Sequence, residues 1–137
     1  MTGAAILKDS ASGAMVAHKQ MALVVEDEPF ARLYAAQLLE DQGFTVIEAE
    51  NADEAIAALR DHPEIALLFT DIRLPGDVSG LALAGQARAL RPELPILLTS
   101  GYVQPAHLDI PRRGKFLAKP YTAQMLLDTA RELIGRP

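Results

Sequence analysis

The sequence predicts an α/β fold in which one parallel, five-stranded sheet carries helices on both faces. Two observations predict it. Short apolar runs such as Ala22-Leu-Val-Val25 and Ile65-Ala-Leu-Leu-Phe69 recur along the chain, as strands buried on both faces require. Between them lie segments with helical apolar spacing, and such alternation forces crossovers that leave the strands parallel.

Each element has its own signal. Residues 1 to about 20 include the small, polar stretch Ser10-Ala-Ser-Gly-Ala14 and no long apolar period, so they are expected to be a flexible extension. The domain is expected to begin at Met21 and run to residue 137, with Ala22–Val25 as its first strand. Pro29 suits the first turn of a helix, where its missing N–H costs little. Phe30, Leu33, Tyr34, Leu38 and Leu39 recur at helical spacing, and Gly43 ends that helix. Phe44-Thr-Val-Ile47 reads as the second strand. Asn51 with Glu54 has N-cap spacing and opens a helix to about Arg60. Ile65–Phe69 is the third strand, followed by a loop with Pro75, Gly76 and Gly80. The next helix carries Leu81, Leu83, Ala84, Ala87 and Leu90. Pro95-Ile-Leu-Leu98 and Phe116-Leu-Ala118 are the last strands, and residues 122 to 134 form an amphipathic helix. Between those strands Pro111 clashes with a helix interior and pushes Ile110 toward extended geometry. A helix there is short or irregular. The whole is a doubly wound, flavodoxin-like α/β sandwich, in which ligands sit beyond the carboxyl ends of the strands.

Composition narrows the function. The 137 residues suffice for one domain, half of them are hydrophobic, and the formal net charge is −5. A nucleic-acid binder usually shows a basic surplus, so direct nucleic-acid binding is not expected. The chain has no cysteine, which removes disulfides and thiolate chemistry and fits a reducing cytoplasm. No apolar run approaches the roughly 20 residues of a membrane span, and no secretory signal is evident, so a cytoplasmic protein without a membrane partner is expected. His18, His62 and His107 lack metal-ligand spacing.

The chemistry gathers at the predicted strand ends. The first strand ends in Glu26-Asp27-Glu28, the third in Thr70-Asp71, the fourth in Thr99-Ser100 and the fifth in Lys119-Pro120. Crowded carboxylates raise one another's pKa unless a cation intervenes. A hard divalent ion relieves this, and Mg2+ fits because it takes few carboxylates plus waters and phosphate oxygens. A carboxylate beside such an ion, a lysine and a hydroxyl is equipped for phosphoryl transfer.

With these pieces the chain resembles the response-regulator receiver family of two-component signalling, either stand-alone or of the hybrid-kinase type. The resemblance rests on Leu23-Val-Val-Glu-Asp-Glu28, Leu68-Phe-Thr-Asp-Ile-Arg-Leu-Pro75, Ile96-Leu-Leu-Thr-Ser-Gly101 and Phe116-Leu-Ala-Lys-Pro120, and covers about residue 21 to the C-terminus. It implies that Asp71 accepts the phosphoryl group. Asp27 and Asp71 would bind Mg2+ directly, Glu26 through water, and Arg73 through its backbone carbonyl. Lys119 would pair with Asp71 and then with the phosphoryl oxygens. Thr99 would be the switch hydroxyl, with Ser100 as a neighbouring competitor, and Phe116 the aromatic that turns inward. The Lys119–Pro120 bond would be cis.

The resemblance also implies a regulator that catalyses only its own phosphorylation and slow dephosphorylation. The donor would be a sensor histidine kinase or a histidine phosphotransfer protein, and the receiver of the signal a downstream protein. A phosphate sink within a hybrid kinase is the nearby alternative. The family places a fourth helix between the last two strands, on its signalling face. Here residues 101 to 114 are expected to be short of helix and mobile until phosphorylation orders them as a partner or dimer surface. The pattern departs from the commonest one in its Glu-Asp pair and in a loop after Asp71 that is one residue longer. An aspartyl phosphohydrolase of the haloacid-dehalogenase type needs a second Asp where Arg73 stands. A flavin carrier needs a phosphate loop where Glu26-Asp27-Glu28 stands.

Overall fold

The computed structural model describes residues 20–102 and 108–135. The elements run β1 (Met21–Val25), α1 (Pro29–Asp41), β2 (Thr45–Ala49), α2 (Ala52–Asp61), β3 (Ile65–Asp71), α3 (Gly80–Leu90), β4 (Ile96–Ser100), β5 (Gly114–Ala118) and α4 (Ala123–Ile134). All strand pairs are parallel, in the order β2-β1-β3-β4-β5. Strand order therefore reverses beside β1 and β3, and their carboxyl ends diverge there into a crevice. This is the doubly wound arrangement expected from the apolar runs.

Alternation along each strand divides the core in two. Leu23, Val25, Leu68, Ile96 and Leu98 face α2 and α3, whereas Ala22, Val24, Leu67, Phe69, Leu97 and Leu117 face α1 and α4. Caps set where the helices begin. Glu28 accepts from the Ala31 amide at 2.8 Å with Pro29 just inside the helix. Asn51 accepts from the Glu54 amide at 2.8 Å, while Glu54 returns the favour to the Glu50 amide at 2.8 Å. Ser79 and Thr122 cap α3 and α4 with the forward bond alone, accepting from the Ala82 and Met125 amides.

The apolar spacing that predicts α1 does not mark its buried face. Phe30 is 80% exposed, Leu33 56% and Tyr34 47%, and the helix packs through Ala35, Ala36 and Leu39 instead. Small side chains let the helix lie close to the sheet. The expected short or irregular helix before β5 falls partly outside the described residues, at 103–107; residues 108–111 carry no regular structure and Arg112-Arg113 forms a turn.

Gly80 shows how tightly the loop after β3 folds back. Its amide donates to the Ile72 carbonyl at 2.7 Å. A Cβ placed on it would lie 1.8 Å from the Asp71 carbonyl oxygen. Gly80→Ala therefore must displace backbone next to Asp71, with an expected loss of about 3 kcal/mol in urea denaturation. Gly85, in the same helix with nothing within 4 Å of its added Cβ, is the control. Gly85→Ala is expected to gain up to about 1 kcal/mol from helix propensity. Equal effects of the two substitutions would show that the close approach at Gly80 is not what limits it.

Candidate functional site

Three strand ends converge on one partly buried cation. Glu26 follows β1 and is 6% exposed; Asp71 ends β3 and is also 6% exposed. Lys119 follows β5, and its Nζ donates to Asp71 Oδ2 at 2.5 Å and to Glu26 Oε1 at 2.8 Å. The parallel sheet makes this meeting possible, because β1 and β3 are neighbours and all strands end at the same edge. The bond between Lys119 and Pro120 is cis, as the resemblance implied. Main-chain donors hold the carboxylates from the other side: the Arg73 amide donates to Asp71 Oδ1 at 2.9 Å, and the Glu28 amide to Glu26 Oε2 at 3.2 Å. Arg32 fastens the turn by donating to the Glu26 carbonyl at 2.9 Å.

Electrostatics follows from burial. Burial raises the pKa of Glu26, and the nearby Asp71 adds to this, although Lys119 pulls the other way. Burial alone would lower Lys119, but its hydrogen bonds to Asp71 and Glu26 outweigh burial and raise it. The Tyr121 hydroxyl, beside the site, is pushed up to about 12 by burial.

The remaining expected residues are placed less uniformly. Asp27 is exposed at the start of the turn after β1. Among the described residues no group of three His, Cys, Asp or Glu side chains converges tightly enough to form a metal cage. The donor chemistry still fits Mg2+, which binds through one or two carboxylates and keeps several waters, better than an ion needing an all-protein cage. Thr99 is the register partner of Asp71, but its hydroxyl donates toward β5, to the Leu117 carbonyl at 2.6 Å. Phe116 is half-buried and packs against the α2 and α3 side of the core.

The two residues of the expected switch pair, Thr99 and Phe116, lie on opposite faces of the sheet. Leu98 pairs with Phe116, Thr99 with Leu117 and Ser100 with Ala118. Side chains alternate along a strand, so Ser100 shares Phe116's face while Thr99 lies on the opposite one with Leu117. Sequence reading weighed both hydroxyls but lacked the register that separates them. It also missed Tyr102, which lies against Arg73. The Arg73 guanidinium lies 4.5 Å from the centroid of the Tyr102 ring. Tyr102 joins Tyr34, Tyr121, Pro120 and Lys119 around a recess of about 540 Å³. His62 lies beside Glu64, at 3.8 Å, away from this edge; His18 and His107 lie outside the described residues.

Comparison with known proteins gives one consistent answer. Residues 22–131 match the response regulator receiver domain family. The C4-dicarboxylate transport transcriptional regulatory protein DctD of Rhizobium meliloti is 36% identical over 116 residues, covering 79% of this chain and 24% of DctD. The response regulator receiver protein CpdR of Brucella abortus is 30% identical over 115 residues, covering 82% of this chain and 94% of CpdR. A crystal structure of a response regulator receiver protein from Sinorhizobium medicae WSM419 superposes with a TM-score of 0.78 at 29% identity, over 85% of this chain and 94% of that one. The chain thus matches only about a quarter of DctD's length but nearly all of CpdR's.

Two measurements probe the electrostatics. Lys119→Met leaves Glu26 and Asp71 without their shared ammonium. Breaking a buried pair costs roughly 3–5 kcal/mol. Because the Lys119 side chain is 29% exposed, the expected loss is about 2 kcal/mol in metal-free protein, read by urea denaturation. A change below about 0.5 kcal/mol would mean that the bridge contributes nothing. Tyr121 holds its proton in the folded state up to about pH 12, whereas the unfolded chain releases it near the ordinary value of 10. Its stabilising contribution is complete below pH 10 and is lost as the pH rises toward 12. Tyr121→Phe is expected to flatten the fall in stability across that window.

Proposed function

This chain belongs to the response regulator receiver domain family, and from that premise we propose that Asp71 is its phosphoacceptor, with Mg2+ and Lys119 as the charges that make transfer work. The observation carrying this reading is the partly buried bridge from Lys119 to both Asp71 and Glu26, at 2.5 and 2.8 Å. A receiver domain is a regulator of two-component signalling. The donor proposed here is a sensor histidine kinase or histidine phosphotransfer protein, and the output is altered binding to a downstream protein or to a second copy. Among the described residues no helix is long and apolar enough to cross a membrane.

In the proposed transfer an Asp71 carboxylate oxygen attacks the phosphorus of a phosphohistidine. The P–N bond breaks, and its electron pair leaves with the imidazole nitrogen. Lys119 shifts its donation from the carboxylates to the phosphoryl oxygens and offsets their charge. When bound, Mg2+ would be held by Asp27, Asp71 and the Arg73 carbonyl, with Glu26 reached through water, and would supply further neutralisation. The amide of Arg73 keeps Asp71 Oδ1 oriented, which leaves Oδ2 as the oxygen that gives up Lys119. Arg73 also argues against a phosphohydrolase, since an arginine at that position cannot act as the second acid-base.

For the switch the reading favours Ser100 over Thr99. A hydroxyl that moves toward the phosphoryl group must vacate space that Phe116 can enter. Ser100 lies on Phe116's face and one residue nearer the open edge of the sheet. Thr99 is on the other face with its hydroxyl already committed to Leu117.

Acetyl phosphate with Mg2+ is expected to add one acid-labile phosphoryl group to the wild type and none to Asp71→Asn, as judged by intact-protein mass spectrometry. Equal labelling would place the acceptor elsewhere. Mg2+ should raise the melting temperature by binding only the folded state, and Asp27→Ala should remove most of that shift. Ser100→Ala should remain phosphorylatable but lose the amide-exchange response to beryllofluoride around Phe116, while Thr99→Val keeps it. The opposite pattern would restore Thr99 to the switch.

A further inference from the structure

The turn that carries Asp27 is braced by one residue of α1. Arg32 holds the carbonyls of the residues before and after Asp27. Its main-chain amide donates to the Glu28 carbonyl at 2.9 Å, and its Nη1 donates to the Glu26 carbonyl at 2.9 Å. The same guanidinium reaches across to the end of β2. Nε donates to Glu48 Oε1 at 3.1 Å, and Nη2 lies 3.8 Å from Glu50 Oε2. The Arg32 side chain is only 15% exposed, although these two carboxylates are 40% and 62% exposed. The planar fork is thus fixed between two elements, and it grips the Glu26 carbonyl from a set position. Asp27 itself is exposed, so packing does not aim its side chain. What aims it is the peptide that precedes it, and Arg32 holds that peptide's oxygen.

We propose that Arg32 is the positioning residue of the Mg2+ site, presenting Glu26 and Asp27 to the ion by fixing the peptide between them. The proposal rests on the reading that places Mg2+ at Glu26, Asp27 and Asp71. The charge of Arg32 works against this role. A guanidinium near a divalent cation repels it, so in Coulomb terms the removal of Arg32 tightens Mg2+ binding. Positioning has the opposite sign. A peptide free to turn scatters the carboxylates, and the ion must then order them at an entropic cost. Glu48 and Glu50 offset the charge of Arg32 while keeping its fork in place. Asp71 is aimed independently, by the Arg73 amide and Lys119. Loss of Arg32 therefore changes how much Mg2+ the protein needs, and not how fast the Mg2+-saturated protein takes a phosphoryl group.

Two substitutions separate geometry from charge. Arg32→Met removes both the fork and the charge. Arg32→Lys keeps the charge, but an ammonium on a flexible stem does not reproduce the fork that spans Glu26 and Glu48. The full chain would be titrated with MgCl2 at constant ionic strength, and binding followed by the amide NMR shifts of residues 26–28. Partners that orient metal ligands typically contribute ten-fold or more to affinity. The expected result is a Kd for Mg2+ raised about ten-fold in Arg32→Met and raised less, in the same direction, in Arg32→Lys. Labelling by acetyl phosphate should then need correspondingly more Mg2+, yet reach the wild-type rate at saturation. Tighter binding in Arg32→Met would overturn the proposal, as would a lowered saturated rate with unchanged Mg2+ affinity. Should Arg32→Met fail to fold, Arg32→Lys carries the test, because on charge alone it binds Mg2+ as the wild type does. Unchanged affinity in Arg32→Lys would then overturn the positioning role. A wild type whose residues 26–28 do not respond to Mg2+ at all would instead overturn the placing of the ion, and the role of Arg32 with it.

Discussion

The ammonium of Lys119 is the constraint on which the other features of the site depend. Two carboxylates that are each 6% exposed, Glu26 and Asp71, lie at the ends of neighbouring strands. Without a cation they would repel each other and lose hydration together. Lys119 reaches them from beyond β5, the edge strand, with β4 between it and Asp71's strand and both β4 and β3 between it and Glu26's. That reach requires β1, β3, β4 and β5 to end at one edge, and parallel pairing with crossover helices achieves this. In the proposed transfer this cation exchanges its partners, because the ammonium that holds the two carboxylates would also meet the incoming phosphoryl oxygens. Partial exposure of Lys119 suits that exchange; a fully buried lysine would have no route from carboxylate to phosphate.

The turn after β3 has the opposite character. Its geometry is set by contacts that leave no slack: the Arg73 amide on Asp71, the Gly80 amide on Ile72, and a space beside the Asp71 carbonyl that admits no Cβ. The loop carrying Pro75 and Gly76 returns to this close approach at Gly80. Asp71 therefore stands on tightly held backbone while its ammonium partner is carried on a long, rotatable side chain. Such a division suits an in-line displacement, where the nucleophile must be aimed and the counter-charge must follow the moving phosphoryl group.

Much of this was legible in the sequence because it rests on local, periodic signals. Apolar runs gave away all five strands, and Pro29, Asn51 and Gly43 marked helix boundaries near where they fall. The meeting of Glu26, Asp71 and Lys119 followed from placing polar residues at predicted strand ends. What stayed hidden depends on registers and packing distances between segments far apart in the chain. Alanine spacing in α1 competes with a more conspicuous aromatic row, and only packing against the sheet shows that Ala35, Ala36 and Leu39 face inward. Likewise Thr99 and Ser100 are equivalent as letters at a strand end. The pairing of β4 with β5 separates them, and a one-residue slip there would exchange their faces.

That register gives the two hydroxyls different surroundings. On the α1 and α4 side of β5, Leu117 is 5% exposed and packs among Leu97, Leu126 and Leu133, so a side chain there has no vacant volume to enter. On the other side Phe116 is half-buried and Ala118 is exposed. A close-packed core resists change, whereas a half-covered aromatic can exchange one rotamer for another at little cost. A hydroxyl that moves on Leu117's face meets the packed layer. One that moves on Phe116's face opens onto the residue with room to respond. Ser100 lies on that second face, and its Oγ accepts the Tyr102 amide that begins the segment toward β5. Ser100 and Phe116 thus share the face with room to respond, and Ser100 is tied to Tyr102, whereas Thr99 lies on the packed face with Leu117 and in register with Asp71.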